Sequence, residues 1–442
     1  MYEADPMMAR ESREKEFDMC IVGAGMIGSA AARHASLVPG LRVCLIGPDE
    51  PMEKSLVERR DIFGAHYDEG RIARTAELDP VWGILSRNSI RRYRMIEKES
   101  GISFYKEVGA IQVGTPDNQF IKNTKQTISD LKVPSREMNA QEMGEMFPYL
   151  TFAEDDVGLY QSTNCGHISP RKLVRAQQVI ASSNGCTVIR DVVAHVRRMV
   201  QSNSTYMMEV VTEDGSVYKS KTVLLTTGAF TTFRNLLPYS DVVPEMSLYP
   251  LAVAKVEVST DYAHKLSTMP CVSYRGRGGK NWYPGFPRNE SDQSVSYYML
   301  PPIKYPDGRY YIKLGHNHAT LPRILRTSME VKEWFCNGDQ RLVNATADLI
   351  MSMFKEMEPL TVKGDFCVVV GTPTFFPYID LVHSQLGIAT GGNGLGAKSS
   401  DEIGRIAVAM MTTGWDSEIP REKFTLRLKR LNPTAMSTHS NL

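Results

Sequence analysis

The feature that most constrains the fold is a strand, a glycine turn and a helix in succession between Phe17 and Ser36. The apolar run Phe17–Val22 predicts a buried strand, and the small residues of Met26–Ser36 predict a helix. Between them, Gly23-Ala24-Gly25-Met26-Ile27-Gly28 fits GxGxxG. These glycines allow a tight turn, a close backbone approach to a pyrophosphate and close helix–strand packing, and the helix N-terminus attracts phosphate. The run therefore predicts a dinucleotide site, against the alternative of a purely structural glycine turn.

A second strand is predicted at Leu41–Ile46, which makes a βαβ unit with a right-handed crossover. In such units an Asp or Glu at the end of the second strand normally holds the adenosine ribose hydroxyls. Here that position is Gly47, and the nearest acids are Asp49 and Glu50. Ribose recognition is therefore expected to be displaced, with Asp49 as a candidate and the acid itself left open.

The rest of the chain predicts an α/β fold in which a Rossmann-type nucleotide-binding domain is interleaved with an antiparallel-sheet α+β substrate domain. Alternating strands and helices return at Leu173–Thr226 and at Leu386–Thr413. The stretch Leu248–Ile312, rich in β-formers, predicts a large antiparallel sheet. The nucleotide-binding domain is assigned to residues 17–88, 162–236 and 362–428, the substrate domain to 89–161 and 237–361, and a flexible N-terminal arm to 1–16.

Composition excludes several classes of function. The 51 basic and 50 acidic side chains nearly balance, so no overall field recruits nucleic acid or a membrane surface. No apolar run reaches the roughly 18 residues of a membrane span. The seven cysteines include no CxxC pair, which predicts neither a metal site nor a disulfide framework and favours a reducing, intracellular compartment.

Several motifs together resemble one family over the stretch from Phe17 to about Thr413. They are the run Phe63 to Arg74, the strand end Thr226 to Phe230, Tyr311 to His316, Gly364 to Val368 and the glycine run Ala389 to Lys398. This set resembles the sarcosine oxidase and pipecolate oxidase family of amine-oxidising flavoenzymes. The resemblance, rather than the glycine turn, implies that the dinucleotide is FAD and not NAD.

The resemblance implies roles at the substrate side of the flavin. In the family's R-I-x-R pattern the first arginine lies against the flavin and the second grips the substrate carboxylate, which maps onto Arg71 and Arg74. A lysine beside the flavin N5 edge corresponds to Lys313, where a fixed cation favours electron transfer to oxygen. Tyr283 is expected to line the substrate pocket, and His66 could set the protonation of the amine.

Further positions are implied to hold FAD. Cys367 stands where family members form a thioether to the flavin, so covalent attachment is expected. Val193 corresponds to the residue that meets the adenine, and Gly228 ends the second glycine strand. Gly394 and Gly396 approach the flavin, and Lys398 pairs with the substrate carboxylate. Leu395 departs from the histidine common there, which puts the identity of the substrate in doubt.

The implied reaction is oxidation of the C–N bond of a small secondary amine or N-substituted amino acid of the sarcosine, N-methyl amino acid or pipecolate type. Molecular oxygen would accept the electrons and leave as hydrogen peroxide, and the protein would act as a monomer. A dehydrogenase with another acceptor and a catalytically silent FAD-binding homologue are the alternatives. The C-terminal Ser440-Asn441-Leu442 loosely resembles a peroxisomal address, so a cytoplasmic or a peroxisomal location is expected.

Overall fold

A computed structural model describes residues 15–51, 60–200, 206–234, 236–239, 241–277, 294–316 and 323–430. Its helices are α1 Met26–Ser36, α2 Pro80–Ser100, α3 Gln119–Leu131, α4 Ala140–Met146, α5 Pro170–Ser183, α6 Thr260–Lys265, α7 Ser328–Asn337, α8 Gln340–Met353 and α9 Gly396–Thr412. Its strands are β1 Lys15–Val22, β2 Val43–Ile46, β3 Arg71–Ala73, β4 Tyr105–Lys106, β5 Ala110–Gly114, β6 Arg136–Asn139, β7 Val157–Gln161, β8 Gly166–Ile168, β9 Thr187–Ile189, β10 Val193–Val200, β11 Tyr206–Thr212, β12 Val217–Leu225, β13 Val242–Pro244, β14 Ser247–Val258, β15 Cys271–Arg277, β16 Ser294–Lys304, β17 Tyr310–His316, β18 Val362–Gly371, β19 Tyr378–His383, β20 Leu386–Thr390 and β21 Leu428–Arg430.

A mostly parallel sheet carries the glycine turn. Its parallel strands run in the order β20-β12-β1-β2-β9, and the antiparallel strands β11 and β10 extend it beyond the N-terminal half of β12. All four residues of β2 are buried, as expected where both faces of a parallel sheet are covered. Helix α1 packs against α5 and α9 on one face. The carboxyl ends of these strands therefore meet at one edge, which is where α/β sheets bind ligands.

The second large sheet lies across from this edge. Its order is β18-β14-β17-β16-β15-β5-β7-β6, and every pair is antiparallel except β15 with β5. Its apolar core includes side chains of α7 and α8, among them Trp334 and Ile350. This arrangement confirms the predicted fold class, including the antiparallel sheet expected over Leu248–Ile312.

Three details differ from the sequence prediction. Lys15 and Glu16, assigned to the arm, are the first residues of β1. Strand β18, whose residues 362–371 were assigned to the nucleotide-binding domain, pairs with β14 in the antiparallel sheet. Helix α2 packs on α9 and α5 beside the parallel sheet, although its residues from 89 onward were assigned to the substrate domain. Strand pairing and helix docking are non-local, so a local pattern does not reveal them; the division into domains otherwise stays a proposal.

No described helix combines the length and the apolar character needed to cross a bilayer.

Candidate active site

A cavity of about 750 Å³ lies between the two sheets, within the range of about 300–1,000 Å³ usual for ligand sites. Its wall contains the glycine turn at the end of β1, the end of β12, parts of β14, β15, β16 and β18, and the turn that leads into α9. The sequence-predicted residues in the lining are Gly23, Gly25, Met26, Ile27, His66, Arg71, Arg74, Val193, Gly228, Cys367, Gly394, Gly396 and Lys398. Segments far apart in sequence thus converge on one space.

The three glycines of the first turn have different steric roles. Gly23 has φ of 110°, which disfavours any residue with a Cβ. A Cβ on Gly28 would lie 1.8 Å from the Gly23 carbonyl oxygen, so Gly28 permits the close contact of α1 with the turn and does not itself line the cavity. A Cβ on Gly25 would meet no protein atom within 4 Å. Gly25 therefore leaves open space in front of the N-terminus of α1.

The second glycine turn presents another helix N-terminus to the cavity. Helix α9 begins at Gly396 without a side-chain cap, and the first N–H groups of a helix have no partner within the helix, so a ligand can accept from them. Asn393 stabilises the preceding turn: its Oδ1 accepts from the Thr372 N–H at 2.8 Å, and its Nδ2 donates to the Gly391 carbonyl at 2.7 Å. The partial positive charge of this terminus suits an anionic group.

Two buried cations meet at the carboxylate of Glu77. The Nε of Arg74 lies 3.1 Å and the Nζ of Lys398 lies 3.2 Å from Glu77 Oε1. Arg74 Nη1 also donates to the Ser273 hydroxyl at 2.7 Å. Burial lowers the pKa of Lys398, whereas the Glu77 carboxylate works in the opposite direction. The structure thus brings together the two residues predicted to bind a substrate carboxylate.

Arg71 and Lys313 share a second buried carboxylate, Asp68. Arg71 Nη1 and Lys313 Nζ both form ion pairs with Asp68 Oδ2, and both donate to the Gly70 carbonyl, at 2.9 and 3.0 Å. Arg71 lines the cavity, whereas Lys313 is fully buried and lies behind the lining. Burial, helped by the charge of Arg71, holds the pKa of Lys313 well below its usual range.

Cys367 lines the same cavity from β18. Burial raises the pKa of its thiol, and the nearby charges of Arg71 and Lys313 act against that rise. On the same strand, burial disfavours ionisation of Asp365, but Lys255, Lys313 and Arg71 together lower the pKa of this carboxyl. Burial therefore outweighs the nearby cations, and the thiol is favoured over the thiolate in the absence of a ligand.

His66 is a buried, neutral imidazole in the cavity wall. Burial, with smaller effects from Arg171 and Arg71, lowers the pKa of His66 to about 3. Its Nδ1 has no hydrogen-bond partner among the described residues, and its ring contacts that of Tyr67 edge-on at 4.8 Å. An uncharged ring with a free nitrogen can accept or donate one hydrogen bond to a ligand.

Val193 lines the cavity, but Asp49 does not. Asp49 lies outside the lining, its side chain is 57% exposed, and it pairs with Arg190 at 2.9 Å. Glu50 forms an ion pair with Arg171, with 2.5 Å between Glu50 Oε1 and Arg171 Nη2. The position of Asp49 outside the cavity lining therefore gives no support to its predicted contact with the ribose.

Tyr283 lies outside the described residues, so its predicted place in the substrate pocket stays a prediction. The cysteines of the described chain are free, and no group of three or more metal-ligating side chains is found among those residues.

Sequence reasoning overlooked the acids that organise this site. Asp68 and Glu77 flank the R-I-x-R run within three residues of Arg71 and Arg74, and this spacing could have suggested them. Ser273, Arg275 and Tyr298 also line the cavity, but they lie on strands whose facing side only the sheet register reveals.

The model of the family described as FAD dependent oxidoreductase matches residues 18–410. The chain belongs to this family. That membership confirms the prediction of an FAD-dependent oxidoreductase and accounts for the glycine turn at the edge of the parallel sheet.

Relatives of this flavoenzyme have been named individually. It is 27% identical over 170 residues to monomeric sarcosine oxidase of Streptomyces avermitilis, covering 38% of this chain and 42% of that one. It is 23% identical over 236 residues to N-methyl-L-tryptophan oxidase of Yersinia pestis, covering 53% of this chain and 59% of that one. The matched stretches thus span about half the length of these relatives.

Solved structures share the fold of this flavoenzyme at lower identity. NikD, described as an unusual amino acid oxidase, superposes with a TM-score of 0.70 and 16% identity over 94% of this chain and 99% of that one. Glycine oxidase from Geobacillus kaustophilus gives a TM-score of 0.64 and 17% identity over 93% and 99% of the two chains. At such identities the likeness shows the fold.

The residues present fit FAD. Gly25 and Gly396 present uncapped helix N-termini at open space, where phosphates and an anionic ring edge would be stabilised. Thr226 joins the end of β12 to the glycine turn, since its hydroxyl contacts the Val22 and Gly23 carbonyls at 2.8 and 2.9 Å. FAD, the cofactor that the family uses, is therefore compatible with the glycine turn, with the N-terminus of α9 and with the volume of the cavity.

Proposed function

We propose that the protein oxidises the C–N bond of a small secondary amine or N-substituted amino acid, of the sarcosine, N-methyl amino acid or pipecolate type. The observation that carries the proposal is the pair Arg74 and Lys398, two buried cations directed at one carboxylate inside the FAD cavity. A planar guanidinium beside an ammonium suits recognition of a carboxylate. The names of the relatives add support, because they include oxidases of N-methylated amino acids.

In this proposal the protein positions the amine, while bound FAD would supply the oxidising power by accepting a hydride equivalent from the carbon next to nitrogen. Arg74 and Lys398 hold the carboxylate of the substrate. Glu77 orients both cations, and Ser273 fixes the guanidinium, so the anion meets a preorganised pair. The resulting imine is hydrolysed by water to a carbonyl compound and an amine.

His66 is proposed to favour the neutral form of the amine. A protonated amine has no lone pair to assist C–H cleavage, so the reaction requires the free base. Since the pKa of His66 is about 3, the ring is uncharged near neutral pH, and its ring N–H can donate a hydrogen bond to the lone pair of the neutral amine, which a protonated amine cannot accept. Tyr67 packs against this ring and limits its rotation.

Lys313 and Arg71 are proposed to assist reaction with oxygen. Reduction of oxygen to hydrogen peroxide passes through anionic species, which nearby positive charge stabilises. Arg71 is at the cavity wall, and Lys313 acts through the shared Asp68 carboxylate from behind it. Arg71 is thus the cation that oxygen would meet. Lys313 adds a second positive charge to the cluster of Arg71, Asp68 and Lys313.

We further propose that Cys367 attaches the FAD covalently. The support is its place in the cavity wall, together with the family resemblance at this position. Acid precipitation of the purified protein tests this: flavin in the pellet, with a Cys367 adduct by mass spectrometry, is expected. Yellow supernatant over a colourless pellet would show that the cofactor is held without a covalent bond.

The amine oxidase proposal is tested with a panel of secondary amines and N-methyl amino acids, measuring peroxide released per amine consumed. A ratio near one is expected for at least one carboxylate-bearing amine. Reduction of an artificial dye without peroxide would indicate a dehydrogenase instead. Failure of every amine to bleach the flavin anaerobically would indicate a catalytically silent homologue. A monomer in a reducing, cytoplasmic or peroxisomal compartment also remains part of the proposal.

A further inference from the structure

The family's usual position for the ribose acid is closed by packing. A Cβ on Gly47 would lie 2.4 Å from the Ala24 nitrogen and 2.7 Å from the Ala24 Cβ. Real Cβ atoms do not approach backbone so closely, so an acid cannot replace Gly47 without moving the glycine turn. The ribose hydroxyls of FAD therefore need an acceptor on another element.

Strand β9, which neighbours β2, brings a hydrogen-bond acceptor to the same edge of the sheet. Strand β9 runs parallel to β2, with Ile46 opposite Ile189, and the Gly47 N–H donates to the Ile189 carbonyl at 3.0 Å. The carboxyl ends of the two strands are thus side by side. Asp191 follows β9 by two residues, and it lines the cavity together with Gly47 and Val193.

One carboxylate oxygen of Asp191 accepts no hydrogen bond from the described residues. Its Oδ1 accepts from the Val192 N–H at 2.6 Å, which orients the side chain. Its Oδ2 is buried and has no hydrogen-bond partner among the described residues. Hydrogen bonds from the Ser216 N–H and the Thr212 hydroxyl, with a smaller effect from contact with the Asp191 side chain, lower the pKa of Asp214 to about 2. Asp214 is therefore an ionised neighbour of Asp191 that has no proton to donate to Oδ2. A buried acceptor of this kind normally has a partner.

We propose that Asp191 is the ribose acid of this flavoenzyme, accepting hydrogen bonds from the adenosine hydroxyls of FAD through Oδ2. The carboxylate has moved from the end of β2 to the loop after β9, which reaches the same part of the cavity from the adjacent strand. The assignment rests on FAD binding and not on the amine substrate or on a covalent bond to Cys367.

The test measures FAD affinity directly, by quenching of flavin fluorescence when apoprotein is titrated with FAD. All proteins carry Cys367→Ser so that binding is reversible. Asp191→Asn is expected to weaken FAD binding by about 10- to 100-fold, since a hydrogen bond to a charged group is lost. The matched control is Asp130→Asn, an exposed acid on α3 away from the cavity, which should bind as the parent does.

Two further ligands locate the contact. FAD analogues that lack the 2′- or the 3′-hydroxyl of the adenosine ribose should lose affinity for the parent, and Asp191→Asn should add little to that loss. An undiminished effect of Asp191→Asn with both analogues would move the contact to the adenine and overturn the assignment. The assignment would also be overturned if Asp191→Asn bound FAD with unchanged affinity, or if Asp49→Asn lost as much FAD affinity as Asp191→Asn does.

Discussion

At the scale of single residues, the site is built from carboxylates that each hold two cations. Glu77 lies between Arg74 and Lys398, and Asp68 lies between Arg71 and Lys313. A buried charge is tolerated only when it is paired, so these acids are what allow the cations to be buried at the cavity. The family motifs predicted the cations. The pairing of these cations with Asp68 and Glu77 depends on which side chains meet in the folded chain.

Replacement of Arg74 by Gln should separate binding of the carboxylate from the chemical step. The KM for a carboxylate-bearing amine is expected to rise by about 10- to 100-fold, because a charge-assisted hydrogen-bonded pair contributes about 1.5–3 kcal/mol. The KM for the methyl ester of the same amine should change much less. Steady-state peroxide assays on both compounds make the comparison.

The matched control is Arg341→Gln, which removes an exposed arginine on α8 whose side chain is 91% exposed. Equal losses for acid and ester in Arg74→Gln would show that the variant disturbs the fold or the flavin, and that Arg74 does not recognise the carboxylate.

His66 predicts a pH dependence of stability. Its folded pKa, about 3, is below the unfolded value of about 6.5, so the unfolded chain binds a proton that the native protein does not. The stabilisation is complete above pH 6.5 and declines as the pH falls towards 3. Between these limits, wild type should lose up to about 1.4 kcal/mol per pH unit more than His66→Asn.

Urea unfolding between pH 4 and pH 8, with FAD in constant excess, measures this difference. The exposed residue His264, changed to Asn, is the control and should leave the wild-type slope in place. Parallel curves for wild type and His66→Asn would argue against a buried, neutral imidazole.

At the scale of secondary-structure elements, the glycine turn predicts two separable defects. Gly28→Ala introduces a Cβ 1.8 Å from the Gly23 carbonyl, so it should push α1 off the turn and cost several kcal/mol of stability. Gly25→Ala meets no protein atom and has φ of −80°, so stability should hold while FAD affinity falls by at least tenfold. Thermal unfolding of apoprotein and flavin titration distinguish the two effects.

Gly144, within α4, is the control for adding a methyl group to a glycine. A Cβ there also meets nothing within 4 Å, so Gly144→Ala should stabilise the helix by about 0.5–1 kcal/mol and leave FAD binding alone. If Gly25→Ala bound FAD normally, the open space before α1 would not be the pyrophosphate site.

The sequence predicted individual helices and strands better than it predicted which of them pack or pair with one another. The strand Leu386–Thr390 and the helix around Leu173–Ser182 have strong local patterns, and both were found. The residues of β18 were assigned to the nucleotide-binding domain, whereas the strand pairs with β14 in the antiparallel sheet, which only the folded arrangement reveals. Asp191 was missed for the same reason, since its importance arises from β9 lying beside β2.

At the scale of the whole molecule, the cavity lies between two sheets and its ligand can stabilise both. If Cys367 carries the flavin, Cys367→Ser should release FAD on acid precipitation and lower the Tm of the diluted holoprotein. Excess FAD should restore that Tm, because a ligand at about 100 times its Kd stabilises the native state by about 2.7 kcal/mol. Differential scanning calorimetry at several FAD concentrations is the measurement.

The Tm of wild type should then be independent of added FAD. The Tm of Cys367→Ser should rise with the FAD concentration. A concentration-dependent Tm in both proteins would indicate that the thiol only lines the cavity.

The wall of the cavity has a consequence for biosynthesis. It is assembled from segments that begin at Val22 and end at Lys398, so the last pieces of the wall leave the ribosome long after the first. A nascent chain that stops short of α9 lacks the second helix terminus and Lys398, one of the two cations proposed to bind the substrate carboxylate. Flavin capture is therefore a late event, because free FAD must meet a protein whose synthesis is nearly finished.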